Sequence, residues 1–203
     1  MEMEHRYLNM HDIKCREADS ENPHIEGYFA VFGDVYEVWP DVTESIAPGA
    51  FTESVAQEVR ALYNHNSDVV LGRASAGTLH LKQDDRGLWG DIEINREDTE
   101  AMNVYRRIKR GDITGCSFGF GIERESWEEK ADGTFHYTIE KVNPLYEVSP
   151  CAFPAYEATK ISARGRDIEQ IKARIAQAWR DRMNEKLKGG KKDAKSTDAA
   201  KEN

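Results

Sequence analysis

The decapeptide ITGCSFGFGI at residues 113–122 decides the predicted fold, because it combines a strand pattern with three glycines. Glycine weakens a strand interior, so a cluster of glycines marks a bend, a bulge or a close approach. Successive strand residues point to opposite faces, which puts the cysteine and both phenylalanines on one apolar face. The other face carries a single hydroxyl, that of Ser117, among Gly115, Gly119 and Gly121. We predict that the apolar face is core and that the glycine face is either a tight strand crossing or a lane for a substrate peptide.

The rest of the chain is dominated by short segments with strand character. Residues 27–39 read GYFAVFGDVYEVW, with an interruption predicted near Gly33-Asp34, and strand-like segments follow at VVLGRA, GTLHLKQ, GLWGDIEI, TFHYTIEKV and LYEVSPCAF. Two helices are predicted, one from about Ala50 to Val59 and one that begins after Asp98 and ends at Gly111. Many short strands with few helices favour a mainly β fold with some α structure: a closed or nearly closed antiparallel β-barrel with helices packed outside it.

The sequence pattern changes after the last predicted strand. We predict an N-terminal segment at 1–24, a folded domain at 25–162, an amphipathic helical extension at 163–188 and a disordered basic tail at 189–203. The helix prediction rests on one apolar stripe at helical spacing, formed by Ile168, Ile171, Ile175, Trp179 and Met183. The tail GGKKDAKSTDAAKEN has the low-complexity composition of disordered segments.

Charge and hydropathy limit the classes of partner. The net charge is −9, but residues 164–203 contain 12 Lys and Arg against 7 Asp and Glu, so this part carries +5 and the rest carries −14. An acidic body does not suit nucleic-acid binding. No apolar run is long enough to span a membrane, and the first residues lack the features of a signal peptide. We therefore expect a protein of a cytoplasm-like compartment.

Cysteine and histidine usage predicts neither a disulfide framework nor a metal centre. Cys15, Cys116 and Cys151 form no CxxC pair, and their number is odd. His5 and His11 lie in a polar stretch without ligand-like spacing, so both are expected to be solvated. No cofactor is expected.

Ser117 is the first candidate nucleophile. Its rival is Cys116, since a thiolate is intrinsically more nucleophilic than an alcohol. Cys116 is expected among phenylalanines on the core face, where burial raises the pKa of a thiol and leaves it inert. Cys151 follows Pro150 in an apolar setting and is expected to be structural.

A nucleophilic serine needs a base and a group that orients the base. Histidine is the usual base, because its unperturbed pKa lies at about 6.5. The candidates beyond the N-terminal stretch are His24, His65, His80 and His136. Glu147 is the candidate orienting acid, because it is a carboxylate in the otherwise weakly polar segment LYEVSPCAF. The alternative is that Glu147 pairs with one of the arginines at positions 106, 107, 110 and 124.

Five blocks of sequence resemble a known family. IAPGAF (46–51), LYNHN with LGR (62–66 and 71–73), GTLHL (77–81), GCSFGF (115–120) and EVSPCAFPA (147–155) occur in the order seen in the prohead maturation proteases of tailed bacteriophages. The resemblance covers about residues 25–162, and that family is similar to the herpesvirus assemblins in its barrel fold. The pair Cys151-Ala152 departs mildly from the family, where Val-Thr more often precedes Phe-Pro.

The resemblance implies a catalytic triad. It places the nucleophile at Ser117, the histidine at His65 and the acid at Glu147, and the role of Glu147 rests on the phage family because assemblins use a second histidine there. An oxyanion hole is also required. Backbone NH groups near Ala155 and Tyr156 are proposed for it, because that loop follows the Glu147 strand.

The resemblance also implies a biological role. A member of the family would be a serine endopeptidase that cleaves the scaffold-like segment of the major capsid protein, and then itself, inside the procapsid that assembles in the bacterial host cytoplasm. Its partners would be that capsid protein and its own copies, with no nucleic acid or membrane. The helix and tail after residue 162 are either a packaging or scaffold-docking element or a solvated extension lost by self-cleavage. Two alternative functions stay open: a non-enzymatic capsid assembly factor with the same fold, and a cysteine peptidase that uses Cys116.

Overall fold

The structure is a computed structural model that describes residues 3–8, 13–17, 22–39 and 41–152, together with Ala173, Gln177 and Arg180. The chain divides into two units, Met1–Ala158 and Thr159–Asn203. In the second unit the three described residues are helical and exposed. The apolar stripe of the predicted amphipathic helix and the predicted disordered tail lie outside the described residues.

The first unit is mainly β, as predicted, and its strands form two sheets. A seven-stranded sheet has the order β1-β10-β11-β5-β4 and also holds β6 and β7, while a four-stranded sheet has the order β2-β3-β9-β8. The elements are β1 (Glu4–Leu8), β2 (Lys14–Glu17), β3 (Pro23–Val31), β4 (Tyr36–Trp39), β5 (Val42–Ile46), β6 (Arg60–Tyr63), β7 (Asn66–Arg73), β8 (Leu79–Gln83), β9 (Gly87–Glu93), α1 (Thr99–Arg110), β10 (Gly115–Glu129) and β11 (Phe135–Cys151), with short 3₁₀ turns at Ser54–Ala56 and Ala74–Ala76.

The antiparallel hairpin of β10 and β11 is the centre of the larger sheet. The glycine-rich stretch forms the first half of β10, and its apolar face is core as predicted: Phe118 and Phe120 are fully buried. Their rings stack at 4.7 Å, and Phe51 meets Phe118 edge to face at 5.5 Å. The two strands predicted around TFHYTIEKV and LYEVSPCAF are one continuous strand, β11.

The predicted closed antiparallel barrel is wrong for the part of the chain that the structure describes. Closure requires every strand to pair on both sides in one staggered register. Opposite β10, β11 instead divides its other edge between two parallel neighbours, pairing Phe135–Ile139 with β5 and Glu147–Val148 with β6. The larger sheet therefore branches, and the four-stranded sheet remains separate. Alternation in the sequence reveals strands, but it does not reveal that one strand has two successive partners.

The helix predicted from about Ala50 to Val59 is also wrong. The segment forms turns and a single 3₁₀ turn at Ser54–Ala56. Tertiary contacts compete with the helix here, because the Ser54 hydroxyl donates to the carbonyl of Val142 and the Val142 amide donates to the carbonyl of Ala50. Phe51 and Val59 are fully buried and Val55 is partly buried, so burial in an irregular segment gives the same apolar spacing as a helical stripe.

Helix α1 confirms the prediction at both ends. The Asp98 side chain accepts hydrogen bonds from the amides of Glu100 and Ala101, and Gly111 terminates the helix with φ 90°. The buried face contains Ala101, Val104, Tyr105 and Ile108, which are the residues that the periodicity selected. No helix in the described part of the chain is long and apolar enough to cross a membrane.

Replacing the helix cap gives a prediction for stability. Asp98→Ala leaves two amides at the start of α1 without their acceptor, so the free energy of unfolding should fall by about 1 kcal/mol. For a domain of this size that loss corresponds to about 2–4 °C in Tm. Thermal unfolding followed by circular dichroism measures this change in Tm. The control is Glu97→Ala, at an exposed neighbouring residue. A native Tm for Asp98→Ala would contradict the capping role.

Candidate active site

Glu147 is a buried carboxylate at the centre of the larger sheet. It lies on β11 between β10 and β6, opposite Gly119 on one side and Arg60 on the other, and only 4% of its surface is exposed. A buried carboxylate requires hydrogen-bond partners. Glu147 has two on its own face: His65 Nδ1 lies 2.7 Å from Oε1, and the Ser149 hydroxyl donates to Oε2 at 2.5 Å. The carboxylate is therefore fixed in position through both oxygens.

His65 reaches Glu147 from a tight turn. Tyr63 pairs with Asn66, so β6 and β7 are joined by the two residues Asn64 and His65, which have φ 51° and 59°. Positive φ at both central positions is the signature of a type I′ hairpin turn, whose twist matches the flanking strands. A β-carbon in this conformation costs about 1–2 kcal/mol. Such strain persists when its surroundings hold it in place.

Hydrogen bonds to the end of β11 hold this turn in place. The Asn64 amide donates to the carbonyl of Pro150, and the Ala152 amide donates to Asn64 Oδ1 at 2.9 Å. The His65 amide donates to the Ser149 hydroxyl at 3.3 Å. Ser149 therefore bonds both the backbone of His65 and the carboxylate of Glu147. Ser149 was not among the predicted site residues, although its position two residues after Glu147 in a strand places it on the same face.

Ser117 lies on the adjacent strand, on the face that carries Glu147. It stands opposite Ser149 of β11 and opposite Tyr7 of β1, and opposed residues of an antiparallel pair share a face. The residue is fully buried. Its hydroxyl donates to the carbonyl oxygen of Arg6 at 2.8 Å. Because a hydroxyl carries one proton, this bond directs the proton toward β1 and not toward the imidazole.

The glycine face of β10 gives space to the acid. A β-carbon at Gly119 would lie 2.5 Å from Glu147 Oε1, closer than the two atoms can approach, and 3.1 Å from His5 Nε2, which is a tight contact. Any side chain at position 119 would thus displace the carboxylate that bonds His65. The glycine predicted to admit a substrate peptide makes room for Glu147 and for a strand of the protein itself.

His5 is a part of this cluster that the sequence did not predict. The expectation that it is solvated is wrong: β1 pairs with β10 and brings the His5 ring to 4.1 Å from the His65 ring, edge to face. His5 Nε2 lies 3.7 Å from Glu147 Oε1. Burial, together with the nearby His65, lowers the pKa of His5 to about 4 despite the opposing effect of Glu147. The polar, charged sequence EHRYL gave no sign of a strand that pairs with β10, and His11 lies outside the described residues.

The two buried cysteines have different surroundings. Cys116 is 1% exposed on the core face of β10, as predicted. Cys151 is also 1% exposed, and its sulfur lies 3.9 Å from His65 Nε2. Burial, with the Glu147 charge, raises the pKa of Cys151 to about 12, which keeps the thiol protonated at neutral pH. Its position beside the imidazole therefore does not make it a nucleophile.

The other candidate partners are engaged elsewhere. His24 Nδ1 lies 2.9 Å from an oxygen of Asp91, and His136 contacts the hydroxyls of Thr43 and Ser45. Burial lowers the pKa of His136. His80 is exposed on β8. Two of the four arginines considered as partners of Glu147 form ion pairs with other acids: Arg110 with Asp112, and Arg124 with Glu140.

Among the residues that the structure describes, one group of side chains could hold a metal ion. His5, His65 and Glu147 each offer a ligand atom, and these atoms lie within 4.8 Å of one another. Two imidazoles and a carboxylate form a donor set that suits zinc. An ion there would replace the hydrogen bond between His65 and Glu147. Ala155 and Tyr156, proposed for the oxyanion hole, lie outside the described residues.

Comparisons with a family profile and with a known protease indicate one family. Residues 11–174 match the profile of the family described as caudovirus prohead serine protease. The chain is similar to the prohead protease of Enterobacteria phage HK97, with 25% identity over 149 residues that represent 71% of this chain and 61% of that protease. It is also similar in structure to the capsid assembly protease gp21 of bacteriophage T4, with a TM-score of 0.46 and 12% identity over 73% of this chain and 96% of that chain.

Proposed function

Because the chain belongs to the caudovirus prohead serine protease family, we propose that it is a serine endopeptidase in which Ser117, His65 and Glu147 form the catalytic triad. The observation that carries the proposal is the bond between His65 Nδ1 and the buried carboxylate of Glu147, 2.7 Å long, beside the strand that carries Ser117. A histidine held by a carboxylate is the arrangement that prepares an imidazole to accept a proton from a serine. No other histidine described has this carboxylate as its hydrogen-bond partner at less than 3 Å.

The proposed reaction is acyl transfer. Ser117 Oγ attacks the carbonyl carbon of the scissile peptide, and His65 Nε2 accepts the hydroxyl proton. The same imidazole then protonates the leaving amine, which releases the first product. Water attacks the acyl-enzyme with His65 again as the base, and Ser117 regains its proton as the second product leaves.

Glu147 serves the imidazole in two ways in this scheme. It accepts the Nδ1 hydrogen, which leaves the Nε2 lone pair free to act as base, and its charge stabilises the imidazolium that forms during attack. The Ser149 hydroxyl holds the carboxylate in position by donating to its second oxygen. Ser149 is a positioning residue in this proposal, because it bonds both the His65 backbone and the acid.

The arrangement of Ser117 corresponds to a resting enzyme. Its proton is directed to the Arg6 carbonyl and its side chain is buried beneath β1 contacts, so attack requires the hydroxyl to turn toward His65 Nε2. A latent state suits a protease that must stay silent until a shell has assembled. The same closed arrangement is also what a non-enzymatic assembly factor would retain, so the test below separates the two functions.

The proposed substrate is the scaffold-like segment of the major capsid protein, followed by self-cleavage, within the assembling procapsid in the host cytoplasm. The relative named prohead protease supports this assignment. The glycine face at Gly115, Gly119 and Gly121 is proposed as the wall along which the substrate strand passes. A homo-oligomer remains a prediction.

Co-expression of the full chain with the major capsid protein of the same phage tests the function. We expect the capsid protein to lose an N-terminal segment, seen by intact-mass spectrometry as one discrete mass loss. Iodoacetamide treatment of the purified enzyme should leave cleavage unchanged. Because Cys116 is buried, a cysteine peptidase that uses it is excluded by cleavage that continues in Cys116→Ala. If the capsid protein keeps its full mass in assembled shells, the protein is an assembly factor and the protease proposal is wrong.

The acid of the triad gives a graded prediction. Glu147→Gln keeps the size of the side chain but removes the charge and can present a donor to Nδ1, so the rate of cleavage should fall about 10²- to 10⁴-fold. Glu140→Gln is the matched control on the same strand, because Glu140 forms a surface ion pair with Arg124. Initial rates of capsid-protein cleavage are the measurement. A Glu147→Gln rate within twofold of the control would remove Glu147 from the mechanism.

A further inference from the structure

The strand β1 occupies the place in which a substrate strand would bind. Residues Glu4–Leu8 pair antiparallel with Cys116–Phe120 of β10, and Tyr7 stands directly opposite Ser117. A peptide bound for cleavage would have to extend along the same edge to bring a carbonyl to Ser117. The carbonyl that now lies at the serine, 2.8 Å from Oγ, is that of Arg6. Arg6 therefore stands where the residue before a scissile bond would stand.

The Arg6 side chain fills a pocket with an acid at its base. Its Nε donates to Glu44 Oε1 at 2.6 Å and its Nη2 donates to Glu44 Oε2 at 2.5 Å, which is a bidentate pair. Tyr137 also contacts both groups, donating to Glu44 and accepting from Arg6 at 2.9 Å. The ring of Phe120 lies 5.5 Å from the guanidinium carbon. The pocket therefore provides charge, hydrogen bonds and an aromatic wall for one long cation.

Glu44 explains why the pocket needs a cation. The residue is fully buried, and a buried carboxylate without a partner is strongly unfavourable. Although burial acts against its charge, the Glu44 carboxylate raises the pKa of Arg6 well above its usual value. If β1 leaves, the strand that replaces it must supply a positive charge at the same position, or Glu44 remains uncompensated.

We propose that Glu44 is a specificity-determining residue that receives an arginine or lysine side chain of the substrate, and that β1 is an internal stand-in for that substrate. This inference rests on the proposed protease function, since it names the substrate class of the same site. A substrate would displace β1, pair with β10 and place its basic side chain on Glu44. Displacement also removes His5 from the His65 ring, which opens the triad.

The proposal predicts that the attachment of β1 to β10 depends on Arg6. Arg6→Gln removes the ionic anchor of β1 but no backbone donor or acceptor. The strand should therefore separate from β10 more often, while the rest of the domain stays folded. Hydrogen exchange by mass spectrometry on the full chain measures this. We expect residues 4–8 to exchange at least tenfold faster in Arg6→Gln, while residues 115–122 and 142–151 keep the protection of the native protein. Faster exchange of all three segments together would overturn the proposal, because β1 would then be a permanent strand of the fold.

Peptide binding tests the specificity. The acceptor is the full chain with Arg6→Gln and Ser117→Ala, which cannot cleave. One labelled peptide has the sequence MEHRYLN of residues 3–9, and its twin has glutamine in place of the arginine. We expect the arginine peptide to bind at least tenfold more tightly by fluorescence polarisation, and addition of Glu44→Gln to the acceptor should abolish this difference.

Two outcomes would overturn the proposal: equal affinity of the two peptides, or no binding of either peptide. The binding measurement uses a chain without a nucleophile, so it does not depend on cleavage. Failure of the proposed function is recognised separately, by a capsid protein that keeps its mass. A working protease has a further readout, because the residue before the bond it cuts should be arginine or lysine.

Discussion

Ser117→Ala is expected to abolish cleavage of the capsid protein. Removing the nucleophile of a serine protease lowers kcat about a millionfold, which is beyond detection in a co-expression experiment. The fold should survive, because the change removes one neutral hydrogen bond, to the Arg6 carbonyl, worth about 1 kcal/mol. Intact mass of the capsid protein after co-expression with native and variant proteins gives the result.

Cys116→Ala is the matched control for that experiment. The two residues are neighbours on β10 but face opposite sides of the sheet, and Cys116 lies in the core. Cleavage should continue in Cys116→Ala at a rate close to that of the native protein. If cleavage persists in Ser117→Ala and stops in Cys116→Ala, the nucleophile is the Cys116 thiol and the assignment of Ser117 is wrong.

Substitution of His65 is expected to have the second large effect on cleavage. Two different substitutions there should also differ in stability. Both His65→Ala and His65→Gly remove the proton acceptor, so cleavage should fall by about 10⁴-fold or more in each. The two variants differ only in the β-carbon at φ 59°. Glycine is free of the left-handed penalty, so His65→Gly should be about 1 kcal/mol more stable than His65→Ala. Urea unfolding of both variants measures that difference.

His80→Ala is the control for the histidine prediction, because His80 is exposed on β8. It should cleave normally and unfold like the native protein. Native activity in His65→Ala would eliminate the proposed base. A His65→Ala variant as stable as His65→Gly would show instead that the turn relaxes, so that the positive φ carries no cost in solution.

The sequence was sufficient for the residues that obey local rules. Alternation along 113–122 placed Phe118 in the core and Ser117 on the opposite face, and capping chemistry located both ends of α1. These features depend on neighbours in sequence, such as the amides that Asp98 caps. The isolated acid Glu147 was also informative, because a carboxylate in an apolar strand requires a partner.

The features that the sequence could not supply are the long-range ones. Whether β11 pairs with one neighbour or with two in succession depends on chain segments about 90 residues apart, so the barrel prediction was wrong. The segment at 50–59 has helical spacing, but its hydrogen bonds go to Val142. The strand β1 has a charged sequence, and its Arg6 forms an ion pair with the buried Glu44 that is visible only in three dimensions.

In the proposed mechanism Ser117 becomes covalently attached to the substrate acyl group, and His65 assists this step. A serine-directed fluorophosphonate probe tests it most directly, applied to protein recovered from assembling shells, with the adduct located by peptide mass spectrometry. We expect one adduct on the peptide that contains Ser117, absent in Ser117→Ala and formed much more slowly in His65→Ala, with no adduct on Cys116. A protein that cleaves the capsid protein without labelling at Ser117, or that labels there equally fast in His65→Ala, would contradict it.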